Sequence, residues 1–407
     1  MKRRVVITGL GIVSVLGCGL PAVTLALRAG KSGIASDPKR ICLGFRSSLT
    51  GVLPPCALKS TLTRKERKTM APAVVQSYTA AQEAVHLASL APSDIATDRT
   101  GLVFGNDSQI IATLEEQEAY ERTKATYAMG SGHVFRCMNS SVSVNLGVRF
   151  GIRGPCWTVS CACASAAYAV CQAFDCIRFG RLDRVLVGGC QELNWQSVAS
   201  FDGIGAFSTN PDPLAASRPF DRERDGLVPS GGAAVLVLEA EDIAKKRGAK
   251  VYGEILGFGV SSDGCDLSVP DGEGLARAIE AALADAGAGL DEIDLVSAHA
   301  TSTVVGDAAE AMSLSRVFHG KCPRVTALKS LTGHEFWMSG VSQIVYTAAM
   351  ADAGFIAATA NYTAPDAQTA GIPVVTRRID RPANRVLHNA AGLGGANAAL
   401  IVRYGEE

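Results

Sequence analysis

The sequence predicts an α/β protein that contains two similar halves. Apolar, β-forming segments alternate with segments of helical periodicity along the 407 residues, the pattern typical of α/β folds. A short motif also recurs, because residues 254–262 (EILGFGVSS) echo residues 8–14 (TGLGIVS). Such an echo favours a duplicated unit. We expect the two halves to join near residue 245, which gives domains of residues 1–245 and 246–407.

The composition argues against several classes of partner. Hydrophobic residues make up 47% of the chain, and its 39 Lys and Arg residues balance its 39 Asp and Glu residues. A neutral chain offers no overall attraction for nucleic acid or an anionic membrane. The 12 cysteines include no C-x-x-C pair, so they indicate neither a metal site nor a small disulfide-rich secreted domain. We therefore expect a cytoplasmic protein with reduced thiols, no bound metal, and neither nucleic acid nor membrane as a partner.

The first segment of the chain combines a strand with a glycine motif. Residues 5–8 (VVIT) read as a buried strand, and Gly9 and Gly11 follow with the spacing of a dinucleotide-binding loop. The third glycine and the acidic residue that such a site needs are missing, so we reject a nucleotide site. Glycines also interrupt residues 5–18 too often for the apolar core of a signal peptide. No later run reaches the ~18 apolar residues of a membrane span.

A basic cluster follows, formed by Arg64, Lys65, Arg67 and Lys68. A solvated helix face is the usual role of such a run, and a docking site for an acidic partner is the alternative. The patterns of the next segments predict a helix over 71–90 and a strand over 100–104.

Residues 154–168 (GPCWTVSCACASAAY) predict a strand, a tight corner and a helix. β-Forming residues predominate at 157–160, and small helix-forming residues begin at Ala162. Cys163 lies at the corner, where unpaired N–H groups at the start of a helix favour a thiolate. It is therefore a candidate nucleophile, although a cysteine more often serves as a small core residue. Partners elsewhere in the chain decide between these interpretations.

The alternation continues with strands at 184–189, 231–239 and 251–260 and a helix over 275–286 that stops at Gly287. Two histidines then follow predicted strands, His299 after 294–298 and His334 shortly after 325–328. Ligands bind at the carboxyl ends of strands in α/β sheets. Each histidine alone is more often structural. Two at strand ends, together with Cys163, indicate a thiol-based active site.

These segments together resemble the β-ketoacyl-acyl-carrier-protein synthases of types I and II, the elongating condensing enzymes of the thiolase superfamily. The resemblance covers essentially the whole chain. It rests on the cysteine corner and on ITGLG at 7–11, GGCQE at 188–192, RPFD at 218–221, HATST at 299–303, KSLTGH at 329–334 and GLGGAN at 392–397. It implies a thiolase-like fold, in which duplicated α/β halves form a layered αβαβα arrangement.

The resemblance also implies an activity. The family condenses malonyl-ACP with an acyl group held on a cysteine, with loss of carbon dioxide, in fatty-acid or related polyene and polyketide synthesis. Carried over position by position, Cys163 is the acyl-accepting nucleophile, and His299 and His334 assist decarboxylation. Lys329 and Glu310 form a supporting ion pair. These roles suit thioester chemistry, which needs a thiolate and aimed hydrogen-bond donors.

Substrate contacts are implied for a second set of residues. The backbone N–H groups of Cys163 and Leu393 would form the oxyanion hole, and Leu393 would contact substrate together with Thr301, Thr303 and Gly392. Substrates arrive as phosphopantetheine thioesters on acyl carrier protein, so no cofactor is expected. Because carrier proteins are acidic, the basic cluster at 64–68 becomes a candidate docking site. A dimer is also implied, either of identical subunits or with a related ketosynthase subunit.

The sequence departs from the family pattern around this site. His-Gly-Thr becomes His-Ala-Thr at 299–301, and Gly-His-x-x-Gly-Ala-Ala-Gly becomes GHEFWMSG at 333–340. Ala391 and Leu393 replace both gate aromatics. We therefore expect an altered acyl preference, with unsaturated or rigid chains as candidates, and we expect Trp337 and Met338 to fill part of the pocket.

Two alternatives remain open. A chain-length-factor-like partner subunit of a heterodimeric ketosynthase fits the altered gate, but such subunits typically lack the nucleophilic cysteine that is present here. A thiolase acting on coenzyme A esters fits less well, because thiolases use a second catalytic cysteine in place of one histidine. An active condensing enzyme is therefore the preferred hypothesis.

Overall fold

The structure is a computed structural model that describes residues 2–55 and 61–405. Within these residues the strands are β1 (Val5–Ser14), β2 (Gly17–Cys18), β3 (Ile34–Ser36), β4 (Leu49–Gly51), β5 (Thr100–Gly105), β6 (Cys156–Val159), β7 (Arg184–Gln191), β8 (Gly232–Ala240), β9 (Gly253–Ser262), β10 (Leu295–Ser297), β11 (Arg324–Thr326), β12 (Arg385–Gly392) and β13 (Ala396–Arg403).

The α-helices of the same residues are α1 (Leu20–Ala29), α2 (Pro38–Cys42), α3 (Arg64–Arg67), α4 (Pro72–Leu87), α5 (Pro92–Ile95), α6 (Ile110–Thr123), α7 (His133–Cys137), α8 (Ser141–Phe150), α9 (Ser165–Arg178), α10 (Ala199–Gly203), α11 (Pro213–Ala216), α12 (Glu241–Lys246), α13 (Glu273–Ala286), α14 (Val304–Val317), α15 (Lys329–Thr332) and α16 (Ser339–Asp352). Short 3-10 turns occur at Thr126–Met129, Leu290–Glu292 and Phe336–Met338.

One mixed sheet runs through the molecule in the order β11-β10-β12-β13-β9-β1-β8-β7-β5-β6, with β2 paired to β1. Its two halves repeat one pattern. In the first half β6, β5 and β7 are parallel, and β8 and β1 continue antiparallel. In the second half β11, β10 and β12 are parallel, and β13 and β9 continue antiparallel. The halves meet where β1 pairs with β9, from Val5↔Ile255 to Ile7↔Gly253. The duplication is therefore visible as a repeated strand order, whereas the boundary near residue 245 stays a prediction.

The helices lie in three layers that alternate with the two halves of the sheet. Helices α9 and α16 pack together in the middle, in a core with residues from both halves of the sheet. Helix α4 covers the outer face of the first half, and α13 with α14 covers the outer face of the second. Each helix buries an apolar stripe against a sheet, as such layers require. The predicted layered αβαβα arrangement is confirmed.

The glycines of the repeated motif allow helices to pack directly on the sheet. A methyl group at Gly11 would overlap the carbonyl oxygen of Ala80 in α4. In the second half, a methyl group at Gly259 would overlap the carbonyl oxygen of Ala278 in α13. Because the same close approach occurs in both halves, the recurring glycine motif is explained by packing, and no nucleotide site is needed to account for it.

The N-terminal segment that resembles an export signal in outline is a central strand. All ten residues of β1 are buried, between β8 on one side and β9 on the other. No helix in residues 2–55 or 61–405 has the length and apolar character to cross a membrane.

We expect Gly11→Ala to destabilise the fold by about 2–3 kcal/mol, because overpacking against the α4 backbone cannot be relieved by a side-chain movement. The midpoint of urea unfolding would measure this effect. Gly203→Ala is the matched control, since its added methyl group would meet nothing within 4 Å. Equal midpoints for the two variants would show that α4 does not pack this closely on β1.

Candidate active site

The corner before α9 holds Cys163 in a strained, well-anchored turn. Ala162 has a φ of 46°, in the left-handed region that residues other than glycine rarely adopt. The hydroxyl of Ser165 fastens the turn, because it accepts a hydrogen bond from the Cys161 N–H (2.8 Å) and donates one to the Ala162 carbonyl (2.6 Å). Such strain is typical of functional turns. The predicted strand, corner and helix are present, with Cys163 two residues before α9.

The thiol of Cys163 is surrounded by potential partners for an acyl group. Its side chain is buried, with 5% exposure, and its Sγ lies 3.1 Å from Nε2 of His334. The backbone N–H groups of Cys163 and Leu393 both lower the pKa of this thiol through hydrogen bonding. The structure thus brings the predicted oxyanion donors together around Cys163, although they belong to segments 230 residues apart along the chain.

Burial sets the charge state of this site. It raises the pKa of the Cys163 thiol to about 12, against the opposing effects of the Leu393 N–H and of the positive charge on Lys329. Burial, followed by the charge on Lys329, holds the pKa values of His299 and His334 well below their usual range. At neutral pH the resting site therefore contains a thiol and two neutral imidazoles. The thiolate expected from the helix N-terminus alone is not the resting form.

The two predicted histidines lie side by side. His299 follows β10, and His334 follows α15 through Gly333. Their ring centroids are 5.3 Å apart, and the rings are nearly perpendicular. Nδ1 of His299 is buried and has no hydrogen-bond partner among the described residues. One imidazole thus contacts the thiol, while the other presents an unpaired nitrogen.

Lys329 and Glu310 do not form the predicted direct ion pair. The Lys329 ammonium donates to the carbonyl of His299 at 2.5 Å. The Glu310 carboxylate accepts the N–H groups of His299 (3.0 Å) and Ala300 (2.7 Å) and the side-chain amide of Asn389 (2.9 Å). The physical reason is that Lys329 binds the carbonyl of His299 and Glu310 binds its N–H. The two charges therefore attract each other across the His299 backbone. The attraction from Glu310 opposes the effect of burial, which lowers the pKa of Lys329 to about 8.

The predicted substrate-binding residues line one cavity. This cavity of about 610 Å³ reaches Cys163, His299 and His334, and its wall includes Thr301, Thr303, Gly392 and Leu393. Thr303 is the N-cap of α14, where its hydroxyl accepts the Gly306 N–H at 3.2 Å and lies 3.0 Å from the Thr301 hydroxyl. The two hydroxyls therefore lie at the start of a helix, on the route to the thiol.

The gate residue Leu393 and the bulky segment after His334 lie in different environments. Leu393 is 51% exposed, and Gly392 approaches the corner so closely that a side chain there would meet the Cys161 carbonyl at 2.8 Å. Trp337 packs in an apolar cluster with Cys163 and Phe336, but it is not among the described residues that line the cavity. Met338, by contrast, lies in the middle core. The expectation that Met338 fills the pocket is wrong, because Phe336–Met338 form a 3-10 turn that directs Met338 towards Gly232.

The basic cluster is separate from this cavity. Arg64, Lys65 and Arg67 belong to α3, and all four cationic side chains of the cluster are exposed. Lys68 donates to the Ser131 hydroxyl at 2.9 Å. Their role in docking stays a prediction.

Sequence reasoning missed two buried polar residues beside the site, Asn389 and Glu335. The Glu335 carboxylate accepts hydrogen bonds from Ser342 and Tyr346, each at 2.6 Å, and burial raises its pKa to about 7. Two adjacent polar residues, His388 and Asn389, between apolar residues of β12 are the signal that could have identified Asn389. Among the described residues, no cluster of three or more His, Cys, Asp or Glu side chains is placed to hold a metal ion.

We expect Lys329→Met to slow alkylation of Cys163 by iodoacetamide at pH 7, where Lys329 is still mostly cationic, by about tenfold, because loss of a nearby positive charge raises a thiol pKa by roughly one unit or more. In the parent the rate should keep rising through alkaline pH, since the pKa is about 12. Mass spectrometry of the Cys163 peptide would measure both rates. Lys321→Met, at an exposed lysine, is the control. An unaltered pH profile in Lys329→Met would contradict this electrostatic role.

The whole chain matches proteins of one family. A profile described as "Beta-ketoacyl synthase, N-terminal domain" matches residues 2–244, and one described as "Beta-ketoacyl synthase, C-terminal domain" matches residues 252–363. The chain is 37% identical to 3-oxoacyl-[acyl-carrier-protein] synthase 1 of Haemophilus influenzae, over 98% of this chain and 99% of that protein.

Solved structures agree with these matches. The ishigamide ketosynthase/chain length factor superposes with a TM-score of 0.91 and 30% identity, over 100% of both chains. A type II PKS acyl-carrier protein in complex with its ketosynthase, bound to the hexaketide, provides a chain that superposes with a TM-score of 0.89 and 28% identity, again over 100% of both chains. The resemblance drawn from the sequence motifs is confirmed: the chain belongs to the β-ketoacyl synthase family.

Proposed function

We propose that the protein condenses malonyl-ACP with an acyl group held on Cys163, releases carbon dioxide, and forms β-ketoacyl-ACP. The observation that carries this proposal is the arrangement at Cys163. A neutral imidazole nitrogen lies 3.1 Å from the sulfur, and the backbone N–H groups of Cys163 and Leu393 lower the pKa of the same thiol. Acyl transfer from a thioester needs a proton acceptor at the thiol and donors for the developing oxyanion.

In the loading step, Nε2 of His334 takes the thiol proton as the sulfur of Cys163 attacks the thioester carbonyl. The N–H groups of Cys163 and Leu393 stabilise the oxyanion that forms. When this intermediate collapses, the C–S bond to pantetheine breaks, and the imidazolium returns its proton to the departing pantetheine sulfur. The acyl group is then held on Cys163, and His334 is neutral again.

In the condensation step, malonyl thioester loses carbon dioxide, and the electron pair of the broken C–C bond forms an enolate. The neutral imidazoles of His299 and His334 donate hydrogen bonds to its oxygen. The enolate carbon attacks the acyl thioester on Cys163, and the new C–C bond forms as the C–S bond breaks. The Cys163 sulfur leaves as a thiolate, which takes a proton from water to restore the resting thiol. The charge on Lys329 supports this chemistry because it keeps both imidazoles neutral. The substrates enter as phosphopantetheine thioesters, and the scheme uses no other cofactor.

The acyl preference of this site is proposed to differ from that of an ordinary fatty-acid elongating synthase. The gate carries the half-exposed Leu393 and the small Ala391 where the family pattern has aromatic residues, and the Phe201 ring lines the same cavity. A pocket of this changed shape suits rigid or unsaturated acyl chains, because a rigid chain loses less conformational freedom on binding than a flexible one.

We expect Cys163→Ala to abolish the acyl adduct that forms with acyl carrier protein, with the fold retained. Intact-protein mass spectrometry with saturated, unsaturated and aromatic primers would show the adduct and its preference. Cys161→Ala, a neighbour of the same type, should keep the adduct. An adduct that persists on Cys163→Ala and disappears on Cys161→Ala would overturn the assignment. His299→Ala should lower carbon dioxide release from malonyl-ACP by about a hundredfold while some loading remains.

We also propose that Arg64, Lys65, Arg67 and Lys68 attract the acidic carrier protein. The chain as a whole is neutral, so a local patch of four exposed cations must supply the attraction. Such a patch raises the rate of encounter with an acidic partner and makes it dependent on salt.

Lys65→Glu combined with Lys68→Glu should raise the KM for carrier protein about tenfold and flatten its salt dependence, because like charges then face the partner. Steady-state kinetics at several salt concentrations would measure this. Lys245→Glu combined with Lys246→Glu, two exposed lysines on α12, is the matched control. If both double variants keep the parental salt slope, the basic cluster is a solvated helix face.

For the assembly, we propose a dimer through the edge of the sheet beside the active site. Strand β6 is the last strand on that side, and an unpaired edge favours association with another strand. Val148, on α8 beside β6, is 72% exposed, which adds apolar surface. Light scattering of the purified chain alone distinguishes a homodimer from a subunit that requires a related ketosynthase chain.

A further inference from the structure

The imidazole of His334 is contacted on three sides. Nε2 lies 3.1 Å from the Cys163 sulfur, and the Ser339 hydroxyl lies 3.4 Å from Nδ1. The ring of Phe336 stacks on the imidazole face, with centroids 4.6 Å apart and an interplanar angle of 28°. A neutral imidazole carries one N–H, so both its plane and its tautomer decide which group faces the thiol.

The backbone of Phe336 is strained in a way that places this ring. Its φ is 42°, a left-handed value that is rare for a bulky residue and persists only where the surroundings enforce it. Phe201 packs against the Phe336 ring with centroids 5.0 Å apart. On the preceding residue, the Glu335 carboxylate is anchored by Ser342 and Tyr346. The segment is thus held from both sides in a conformation that presents the phenyl ring to His334.

We propose that Phe336 and Ser339 are positioning residues that fix the plane and the tautomer of the His334 imidazole towards Cys163. This inference rests on the proposed role of His334 in acyl transfer. The Phe336 ring prevents rotation of the imidazole, which would exchange Nε2 for a carbon atom beside the sulfur. The Ser339 hydroxyl can accept a hydrogen bond from Nδ1–H or donate one to an unprotonated Nδ1. It therefore supports both states that the cycle needs.

The two states follow from the proton balance. During loading, Nδ1 carries the proton and donates to Ser339, so the lone pair of Nε2 is free to take the thiol proton. The imidazolium that results passes a proton from Nε2 to the leaving pantetheine sulfur. Between the two steps, Nδ1 gives its proton to water and Nε2 takes one from water, so the imidazole changes tautomer and stays neutral. During condensation, Nε2–H faces the enolate oxygen, and the Ser339 hydroxyl donates a hydrogen bond to Nδ1. A hydroxyl at this position serves both tautomers, whereas a methyl group would serve neither.

Phe336→Leu and Ser339→Ala should each lower kcat about threefold to tenfold, the range expected for loss of one stacking contact or one hydrogen bond. The KM for malonyl-ACP should stay unchanged. Alkylation of Cys163 by iodoacetamide should shift to higher pH, because the thiol loses a fixed proton acceptor. With ¹⁵N-labelled histidine, the imidazole signals of His334 should show a changed tautomer ratio in both variants.

Matched controls separate positioning from packing. Phe355→Leu and Ser77→Ala alter a fully buried ring and a fully buried hydroxyl that the structure does not place beside Cys163. They should lower thermal stability to a similar degree and leave kcat, the alkylation profile and the His334 signals unchanged. If Phe336→Leu does not fold, Phe336→Met, which keeps a large apolar side chain without a ring, takes its place.

Two results distinguish failure of this inference from failure of the proposed function. If Phe336→Leu and Ser339→Ala behave like the two control variants, these residues only pack, and the inference is overturned. If His334→Ala itself loads and condenses at the parental rate, the role proposed for His334 is wrong.

Discussion

The close contact of helices α9 and α16 in the middle layer is the constraint on which the active site depends. Helix α9 carries the Cys163 corner from the first half of the chain, and α16 follows the His334 segment from the second half. Small residues line their contact: a side chain at Gly340 would overlap the backbone and methyl group of Ala167. Because the helices approach this closely, the thiol and the imidazole reach 3.1 Å. A larger residue at this contact would separate the reacting groups as well as loosen the core.

Exclusion of water determines how the site holds its protons. Cys163, His299, His334, Lys329, Glu310 and Glu335 are all buried. Burial favours the neutral form of each group, so a thiol beside neutral imidazoles is the stable resting arrangement. Among the described residues, Lys329 is the lysine whose positive charge lowers the pKa values of both imidazoles. Its charge opposes burial at the thiol and reinforces it at the imidazoles. One buried cation therefore acts on all three reacting groups in the direction that acyl transfer requires.

The departures from the family pattern lie in the three segments that contain His299, His334 and Leu393. The segment after His334 forms a 3-10 turn, and α16 begins only at Ser339. This turn places Phe336 and Trp337 in the apolar cluster that contains Cys163 and Met338 in the middle core. The changed residues that line the cavity are Ala300, Ala391 and Leu393, while Cys163, His299 and His334 are retained.

The sequence by itself determined the class of fold, the recurring glycine motif and the identities of Cys163, His299 and His334. These follow from local patterns, since periodicity, strand ends and short motifs are properties of neighbouring residues. Only the tertiary structure decided the resting charge of the thiol, because a helix N-terminus is a local feature and burial is a property of the whole core. It also decided that Lys329 binds the carbonyl of His299 and Glu310 binds its N–H, so that the two charged side chains do not pair directly. The stack of Phe336 on His334 could not be predicted for the same reason. It depends on the left-handed backbone of Phe336. That backbone is held by Phe201, which is distant in the sequence, and by Ser342 and Tyr346, which belong to α16.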